Sequence, residues 1–139
     1  MVKRRSAQVE TQEQLALMHW ARLYQGDYPA LMLLCHIPNG GKRHIAEAVK
    51  FKAMGVRAGM PDLFLPWAAH GFHGWFCEMK APGGRIRPVQ REVIKELRER
   101  GYCAFVCEGW LAAATSLQLY LDETLDFGGW YERARKNQF

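Results

Sequence analysis

The strongest constraint on the fold of this chain is the alternation of short apolar segments with longer segments of helical periodicity. The short segments are rich in β-branched and aromatic residues and are bounded by glycine or proline, which predicts buried strands. The longer segments carry apolar residues three and four positions apart, as amphipathic helices do. Strands and helices that alternate in this way favour the α/β class, with a mixed β-sheet flanked by helices.

The predicted element order is αβαββαβα, and a chain of 139 residues is long enough to build one domain around its own core. We expect helices at about residues 11–24, 43–54, 88–100 and 110–121. We expect strands at about residues 31–37, 62–66, 75–80 and 102–107. The two middle strands are joined by a short turn, which predicts an antiparallel hairpin. Thr11 is expected to cap the first helix, because Gln14 follows it three residues later.

The two ends of the chain are expected to lie outside the folded domain. Residues 1–9 are predicted to be a flexible basic arm, residues 10–125 the domain, and residues 126–139 a C-terminal tail. The tail contains Trp130, Tyr131 and Phe139, which would either form part of a subunit interface or pack back on the domain.

Composition excludes several other classes of protein. Hydrophobic residues make up 49% of the chain and charged residues 24%, which is typical of globular proteins and argues against disorder. No apolar run approaches the roughly 20 residues that span a membrane, and no apolar signal core follows the basic start. The four cysteines form no C-x-x-C pair and are expected to be reduced thiols in the cytoplasm.

The net charge of +5 is unevenly distributed along the chain. Residues 42–57 and 80–91 are strongly basic, whereas residues 101–132 contain acids but no lysine or arginine. This polarity is consistent with one face that binds a polyanion such as nucleic acid, although an ordinary solvated surface accounts for it equally well.

The stretch with the most chemical content lies at the ends of the two hairpin strands. Glu78 and Lys80 are two residues apart in one strand and so project from the same face, and the hairpin would bring Asp62 beside Glu78. Charges in such apolar surroundings are costly unless they are paired, and a hard divalent cation such as Mg²⁺ would pair the acids. Asp62, Glu78 and the backbone carbonyl of Met79 would then be ligands, with Lys80 beside a metal-bound water. A plain Glu78–Lys80 surface ion pair is the alternative interpretation.

A further polar residue is predicted near this site. Gln90 lies on the helix side that also carries Ile94 and Leu97, so its amide is expected to point inward near the strand of Glu78. A simple polar residue at the start of a helix is the alternative interpretation.

Together these residues resemble the PD-(D/E)-x-K nuclease superfamily, and more closely its VRR-NUC (virus-type replication-repair nuclease) family. The resemblance covers residues 10–120. In chain order, the matching residues are Glu13, Ile37-Pro38-Asn39, Gly59-Met60-Pro61-Asp62, Glu78-Met79-Lys80 and Gln90. Met79 stands where the family more often has leucine, a harmless departure because only the carbonyl of this residue is needed.

The resemblance implies a restriction-endonuclease-like fold and a DNA endonuclease that uses Mg²⁺ or Mn²⁺ to hydrolyse phosphodiester bonds. By motif position, Asp62 and Glu78 would be metal ligands, Lys80 the water-positioning residue and Gln90 an auxiliary orienter. The family also places an acidic metal ligand on the first helix. Glu13 is preferred to its neighbour Glu10 for this role, because Glu13 heads the core-facing stripe of that helix.

The resemblance also implies a substrate and a partner. Small members of the family are similar to structure-selective nucleases, including Holliday-junction resolvases, in the cytoplasm of bacteria or of phage-infected host cells. Branched DNA is therefore the expected substrate, and a homodimer the expected assembly, since symmetric cutting of two strands needs two sites related by a twofold axis. A non-catalytic DNA-binding module with a nuclease fold and a sequence-specific restriction-type endonuclease are the alternatives.

Polar and basic groups on either side of the predicted metal site are expected to hold DNA phosphates, which positions DNA without reading its sequence. They are Asn39, Arg43, Lys50, Lys52, Arg85, Arg87 and Arg91. For Lys50 and Lys52 a solvated helix face is an equal alternative, and a tight turn explains residues 39–41 equally well.

Overall fold

A four-stranded mixed sheet forms the centre of the computed structural model, which describes residues 2–38, 44–136 and 138–139. The strands are β1 (Cys35–His36), β2 (Leu63–Leu65), β3 (Trp75–Lys80) and β4 (Cys103–Glu108). The helices are α1 (Val2–Leu23), α2 (Ile45–Ala53), α3 (Pro88–Glu99), α4 (Trp110–Leu121) and α5 (Phe127–Lys136), with a short 3₁₀ helix at Pro29–Leu33. None of the helices in these described segments has the length and apolar character needed to cross a membrane.

The strand order β1-β2-β3-β4 follows the chain. The β1–β2 and β2–β3 pairs are antiparallel, whereas β3 and β4 run parallel, with α3 as the connection between them. The predicted α/β class, the mixed sheet and the central hairpin are therefore confirmed.

Strand β3 is buried on both faces. Trp75, Cys77 and Met79 point into the main core, which also contains residues of α1, α4 and α5. The alternate residue Phe76 packs with Ile94 of α3 on the other face, in a smaller cluster. Glu78 and Lys80 share the face of Phe76, because strand residues two apart project to the same side.

Helix α1 begins at Val2, so the predicted flexible arm at residues 1–9 is wrong for residues 2–9. Thr11 does not cap the helix, because its hydroxyl donates a hydrogen bond to the carbonyl of Ala7 one turn earlier, at 3.0 Å. The physical reason is that residues 2–10 contain no glycine or proline and are mostly good helix formers, so the helix extends through them.

The strand predicted at residues 31–37 is mostly absent. The 3₁₀ helix starts at Pro29, whose ring fixes φ in the helical range, and the strand β1 that follows has only two residues, both exposed. Strand β1 lies at the edge of the sheet and pairs with β2, which has three residues. Strand β2 therefore offers too few backbone hydrogen-bond partners for a longer β1.

The predicted C-terminal tail is also wrong, because residues 127–136 form helix α5. Phe127 and Tyr131, one turn apart, are buried in the main core. Trp130 packs against Phe105 edge to face, with ring centroids 5.7 Å apart. Of the two alternatives for these tail aromatics, packing back on the domain is the one observed for Trp130 and Tyr131.

The outer edge of β4 is covered by side chains rather than by another strand. The Tyr131 hydroxyl accepts a hydrogen bond from the Ala104 amide at 3.2 Å and faces the Ala104 carbonyl at 3.3 Å. The Gln138 amide accepts from the Val106 N–H at 3.1 Å and donates to the Val106 carbonyl at 2.8 Å. The backbone polar groups of this edge are thereby satisfied, which disfavours pairing with a foreign strand.

Candidate active site

The register of the hairpin brings Asp62 to the middle of the sheet. Asp62 directly precedes β2, and its neighbour Leu63 pairs with Cys77 of β3. The Asp62 carboxylate accepts a hydrogen bond from the backbone N–H of Met79 at 2.8 Å. Asp62 is therefore fixed beside the residues of β3 that carry the predicted chemistry.

The Glu78 carboxylate has two very different oxygens. Oε1 lies 3.0 Å from the Lys80 ammonium and accepts a hydrogen bond from the Gln90 side-chain amide. Oε2 is buried and has no hydrogen-bond partner. Buried polar atoms are normally paired, so an unpaired carboxylate oxygen indicates a place for a further partner.

Gln90 is held in position by the start of α3. Its side-chain oxygen accepts a hydrogen bond from the Arg87 N–H at 2.9 Å, which caps the helix and turns the amide nitrogen towards Glu78. Gln90 is only 3% exposed. The predicted inward orientation of this residue is confirmed.

Burial dominates the electrostatics of the two acids. Burial, and then the charge of Asp62, raises the pKa of Glu78 to about 7, against the opposing effect of Lys80. Burial also raises the pKa of Asp62, against the Met79 hydrogen bond and Lys80. Two desolvated carboxylates with raised pKa values would both be stabilised by a bound cation.

The Met79 carbonyl lies on the side of Asp62. The Lys80 carbonyl accepts from Gly109 N–H at 3.0 Å and so faces the β4 side of the strand. Successive peptide groups of a strand point in opposite directions, so the Met79 carbonyl faces the β2 side, as does the Met79 N–H that bonds Asp62.

The acid that α1 brings to this site is Glu10, and the preference for Glu13 is wrong as a placement. The Glu13 carboxylate accepts from the N–H of Trp110 at 2.6 Å and so caps the start of α4. Glu10 faces the site, and its charge raises the pKa of both Asp62 and Glu78. The two glutamates are three residues apart and share one side of the helix, so helical periodicity alone does not distinguish them.

His36 was not predicted by the sequence analysis. Its Nδ1 donates a hydrogen bond to the Asp62 carbonyl at 2.7 Å, and the Ile37 N–H donates to the same oxygen at 2.8 Å. No sequence signal pointed to His36, because the contact depends on the two-residue strand β1 pairing with β2.

A cavity of about 510 Å³ contains all of these groups. Its polar lining consists of Glu10, Thr11, Gln14, His36, Asp62, Glu78, Lys80, Arg87 and Gln90. Its apolar lining consists of Ala7, Leu15, Met18 and Met79. Glu78 and Lys80 are only 3% and 7% exposed, so these two charged groups lie deep in the cavity.

The predicted DNA-binding residues are only partly associated with this cavity. Arg87 lines it, and Arg85 and Arg91 are exposed near the start of α3. The Arg91 guanidinium lies 5.4 Å from the centroid of the Phe139 ring. Lys50 and Lys52 are exposed on α2 and do not line the cavity, while Asn39 and Arg43 lie outside the described residues.

A metal ion at this site would need ligands other than protein side chains. Among the described residues, no three His, Cys, Asp or Glu side chains form a group that could hold a metal. Mg²⁺ commonly uses only one or two carboxylates and completes its shell with water and substrate phosphate. The unpaired Oε2 of Glu78, beside the Asp62 carboxylate, fits that requirement.

A mixed sheet that carries two acids and a lysine at the ends of neighbouring strands defines the PD-(D/E)-x-K class of nuclease folds. The family model of the VRR-NUC domain matches residues 3–110, and the chain therefore belongs to the VRR-NUC family. A solved structure described as a VRR_NUC domain protein has 32% sequence identity and a TM-score of 0.69, covering 81% of this chain and 87% of that chain. Nothing among the curated proteins matches this sequence.

The predicted family is thus confirmed, and the chain is a nuclease-fold module of DNA processing. The matched region includes the N-terminal part of α1 and ends at residue 110, so α5 lies beyond it.

Proposed function

We propose that this protein is an endonuclease that hydrolyses phosphodiester bonds in DNA and depends on Mg²⁺ or Mn²⁺. The observation that supports the proposal most directly is the convergence of Asp62, Glu78 and Lys80 on one cavity, with a buried carboxylate oxygen left unpaired. The VRR-NUC family, a nuclease family, supports DNA as the substrate.

Each residue of the site has a role in this proposal. Asp62, Glu78 and the Met79 carbonyl would hold the metal, with Glu10 as the further acid. The bound ion would supply positive charge to the scissile phosphate. Lys80 would orient the attacking water and stabilise charge that develops on the phosphate. Gln90 would hold Oε1 of Glu78, which keeps Oε2 available.

We further propose that the substrate is branched DNA, as for a Holliday-junction resolvase, and that the enzyme acts as a homodimer in the cytoplasm of a bacterium or a phage-infected host cell. Arg85 and Arg87, exposed beside the cavity, would contact phosphates and so would not read the base sequence. Two symmetry-related sites would allow paired cuts in a two-fold junction.

The decisive experiment is a cleavage assay on four-way junctions, flaps and linear duplexes, with Mg²⁺, Mn²⁺ or EDTA. We expect Asp62→Asn and Lys80→Ala to reduce cleavage at least about a hundredfold while DNA binding is retained. Glu96→Gln is the control, because Glu96 is an exposed carboxylate on α3 that pairs with Arg100. Wild-type cleavage by either site variant would contradict the proposal.

A non-catalytic DNA-binding module is the second candidate. It is favoured by the pairing of Glu78 with both Lys80 and Gln90, and by the lack of a three-ligand metal group in the described residues. Salt-dependent binding of junctions without cleavage in Mg²⁺ or Mn²⁺ would support it. Cleavage of linear duplexes only at particular sequences would instead indicate a restriction-type endonuclease.

A further inference from the structure

Helix α1 forms one wall of the cavity, and half of the side chains that it contributes to the lining are apolar. Ala7, Thr11, Leu15 and Met18 recur at helical spacing along one side of α1 and all line the cavity. Leu15 is 64% exposed, so its side chain is open to contact with a ligand that enters the cavity. Together with Ala7 and Met18, Leu15 adds an apolar surface that a phosphate and an ion alone would not use.

The size of the cavity suggests what that ligand is. A volume of about 510 Å³ falls in the range of about 300–1,000 Å³ typical of sites that enclose a small molecule. It exceeds what a single phosphate group needs. A nucleotide combines a phosphate, which suits Lys80 and Arg87, with a sugar and base that have large apolar surfaces.

We propose that this wall, formed by Ala7, Leu15 and Met18, is a subsite for one unpaired nucleotide next to the scissile phosphate. The inference rests on the proposed function and specifies its substrate class. A paired base cannot enter the cavity with its phosphate, because its partner strand would have to follow. An unpaired nucleotide can lay its sugar and base on the wall while its phosphate reaches the charged interior.

The subsite predicts that the base itself contributes to binding. A fluorescent duplex with a single unpaired nucleotide is titrated with the protein in Ca²⁺ and in EDTA, beside the same duplex with an abasic site at that position. We expect the abasic DNA to bind the wild type several-fold more weakly, because apolar contact with the base is lost. Equal affinity of the two DNAs for the wild-type protein would overturn the inference.

Variants of Leu15 assign the effect to the wall. We expect Leu15→Ala to weaken binding of the unpaired nucleotide about three- to tenfold and to remove the difference from abasic DNA, since several apolar groups are deleted. Leu15→Phe should strengthen binding, because an aromatic ring stacks better on a base. Leu23→Ala is the matched control, because Leu23 is 67% exposed on the same helix and does not line the cavity.

Failure of the inference and failure of the proposed function are distinguishable. If the base effect and its loss in Leu15→Ala are observed but no metal supports cleavage, the subsite stands and the endonuclease proposal fails. If Mg²⁺ supports cleavage but Leu15→Ala and Leu23→Ala bind both DNAs alike, the endonuclease proposal stands and the subsite is wrong.

Discussion

The two carboxylate oxygens of Glu78 differ in their hydrogen bonding. One oxygen bonds Lys80 and Gln90, while the other is buried without a partner, and the carboxylate lies near a second acid. The burial of the strand end, rather than the ion pair, determines the direction of its pKa shift. Keeping this carboxylate charged therefore costs free energy in the folded protein, and a cation bound beside it would lower that cost.

The raised pKa of Glu78 predicts a pH-dependent stability. Its pKa rises from 4.5 to about 7 in the folded state, so between these values the native protein holds a proton that the unfolded chain has lost. In EDTA, stability should therefore be greatest at low pH within this window and fall by up to about 3 kcal/mol as pH rises through 7. Urea unfolding at pH 5 and pH 8 measures the change.

The variant Glu78→Gln is the control for this prediction, because it removes the titrating group and keeps its shape. We expect its stability to vary much less between the two pH values. An unchanged pH dependence in Glu78→Gln would assign the effect to other groups, of which Asp62, Glu10 and Lys80 face the same carboxylate.

His36 provides a second prediction at the level of single residues. Its ring donates to the Asp62 carbonyl, so removing it should loosen the position of that carboxylate. We expect His36→Ala to weaken Mn²⁺ binding, measured by calorimetry, by about tenfold or more, as loss of outer contacts to metal ligands typically does. His36→Asn places an amide donor near Nδ1 and should restore most of the affinity. Equal Mn²⁺ affinity in the wild type and His36→Ala would contradict the prediction.

Residue-level prediction from sequence succeeded where the geometry is local. Glu78 and Lys80 share a face because strands alternate, and Asp62 joins them because β2 and β3 pair antiparallel with Leu63 opposite Cys77. Glu10 was ranked below Glu13 and His36 was missed, since their placement depends on how α1 crosses the sheet and on β1 pairing with β2. No local pattern contains those tertiary relations.

At the scale of elements, helix α5 is a helix that the sequence analysis did not predict. Its aromatic residues at positions 127, 130 and 131 have helical spacing, which could have predicted an amphipathic helix. Two adjacent glycines within it disfavour a helix, and burial of Phe127 and Tyr131 in the core overcomes their cost. The start of α1 was mispredicted because the capping pattern at Thr11 was given more weight than the helix propensity of the residues before it. The length of β1 was mispredicted because apolar content was given more weight than the number of residues available for pairing.

The hydroxyl of Tyr131 is predicted to stabilise the β4 edge. Tyr131→Phe keeps the buried ring but leaves the amide and carbonyl of Ala104 without that partner. We expect a loss of about 1–2 kcal/mol in the free energy of unfolding, measured by urea denaturation. Glu132→Gln, at an exposed neighbour that pairs with Arg135, should change stability by less than about 0.5 kcal/mol. A Tyr131→Phe protein as stable as the wild type would show that the hydroxyl contributes nothing.

At the scale of the whole molecule, basic residues near the start of α3 and acidic residues at positions 101–132 are separated along the chain. The sequence predicted the mixed sheet and the family, which are confirmed, whereas the charge polarity of the folded surface stays a prediction. It could not predict that α2 would lie away from the cavity, because nothing local fixes where a helix packs.

The salt dependence of DNA binding tests which face is used. Arg87 lines the cavity, so Arg87→Gln should weaken binding and reduce the slope of log affinity against log salt by about 1. Arg100→Gln is the control of equal charge, because Arg100 is exposed at the opposite end of α3 and pairs with Glu96. Equal effects of the two variants would show that binding follows net charge and not the cavity.

Helix α2 has nine residues, none of them buried, and its apolar Ile45 and Val49 are 81% and 64% exposed. An isolated helix shorter than about 12–15 residues is marginally stable in water. Helix α2 is therefore stabilised neither by its length nor by burial of its side chains. Its backbone amides should therefore exchange with deuterium through small local openings that leave the sheet closed. Binding of a DNA or protein ligand to α2 would be detected as slower amide hydrogen exchange confined to this helix.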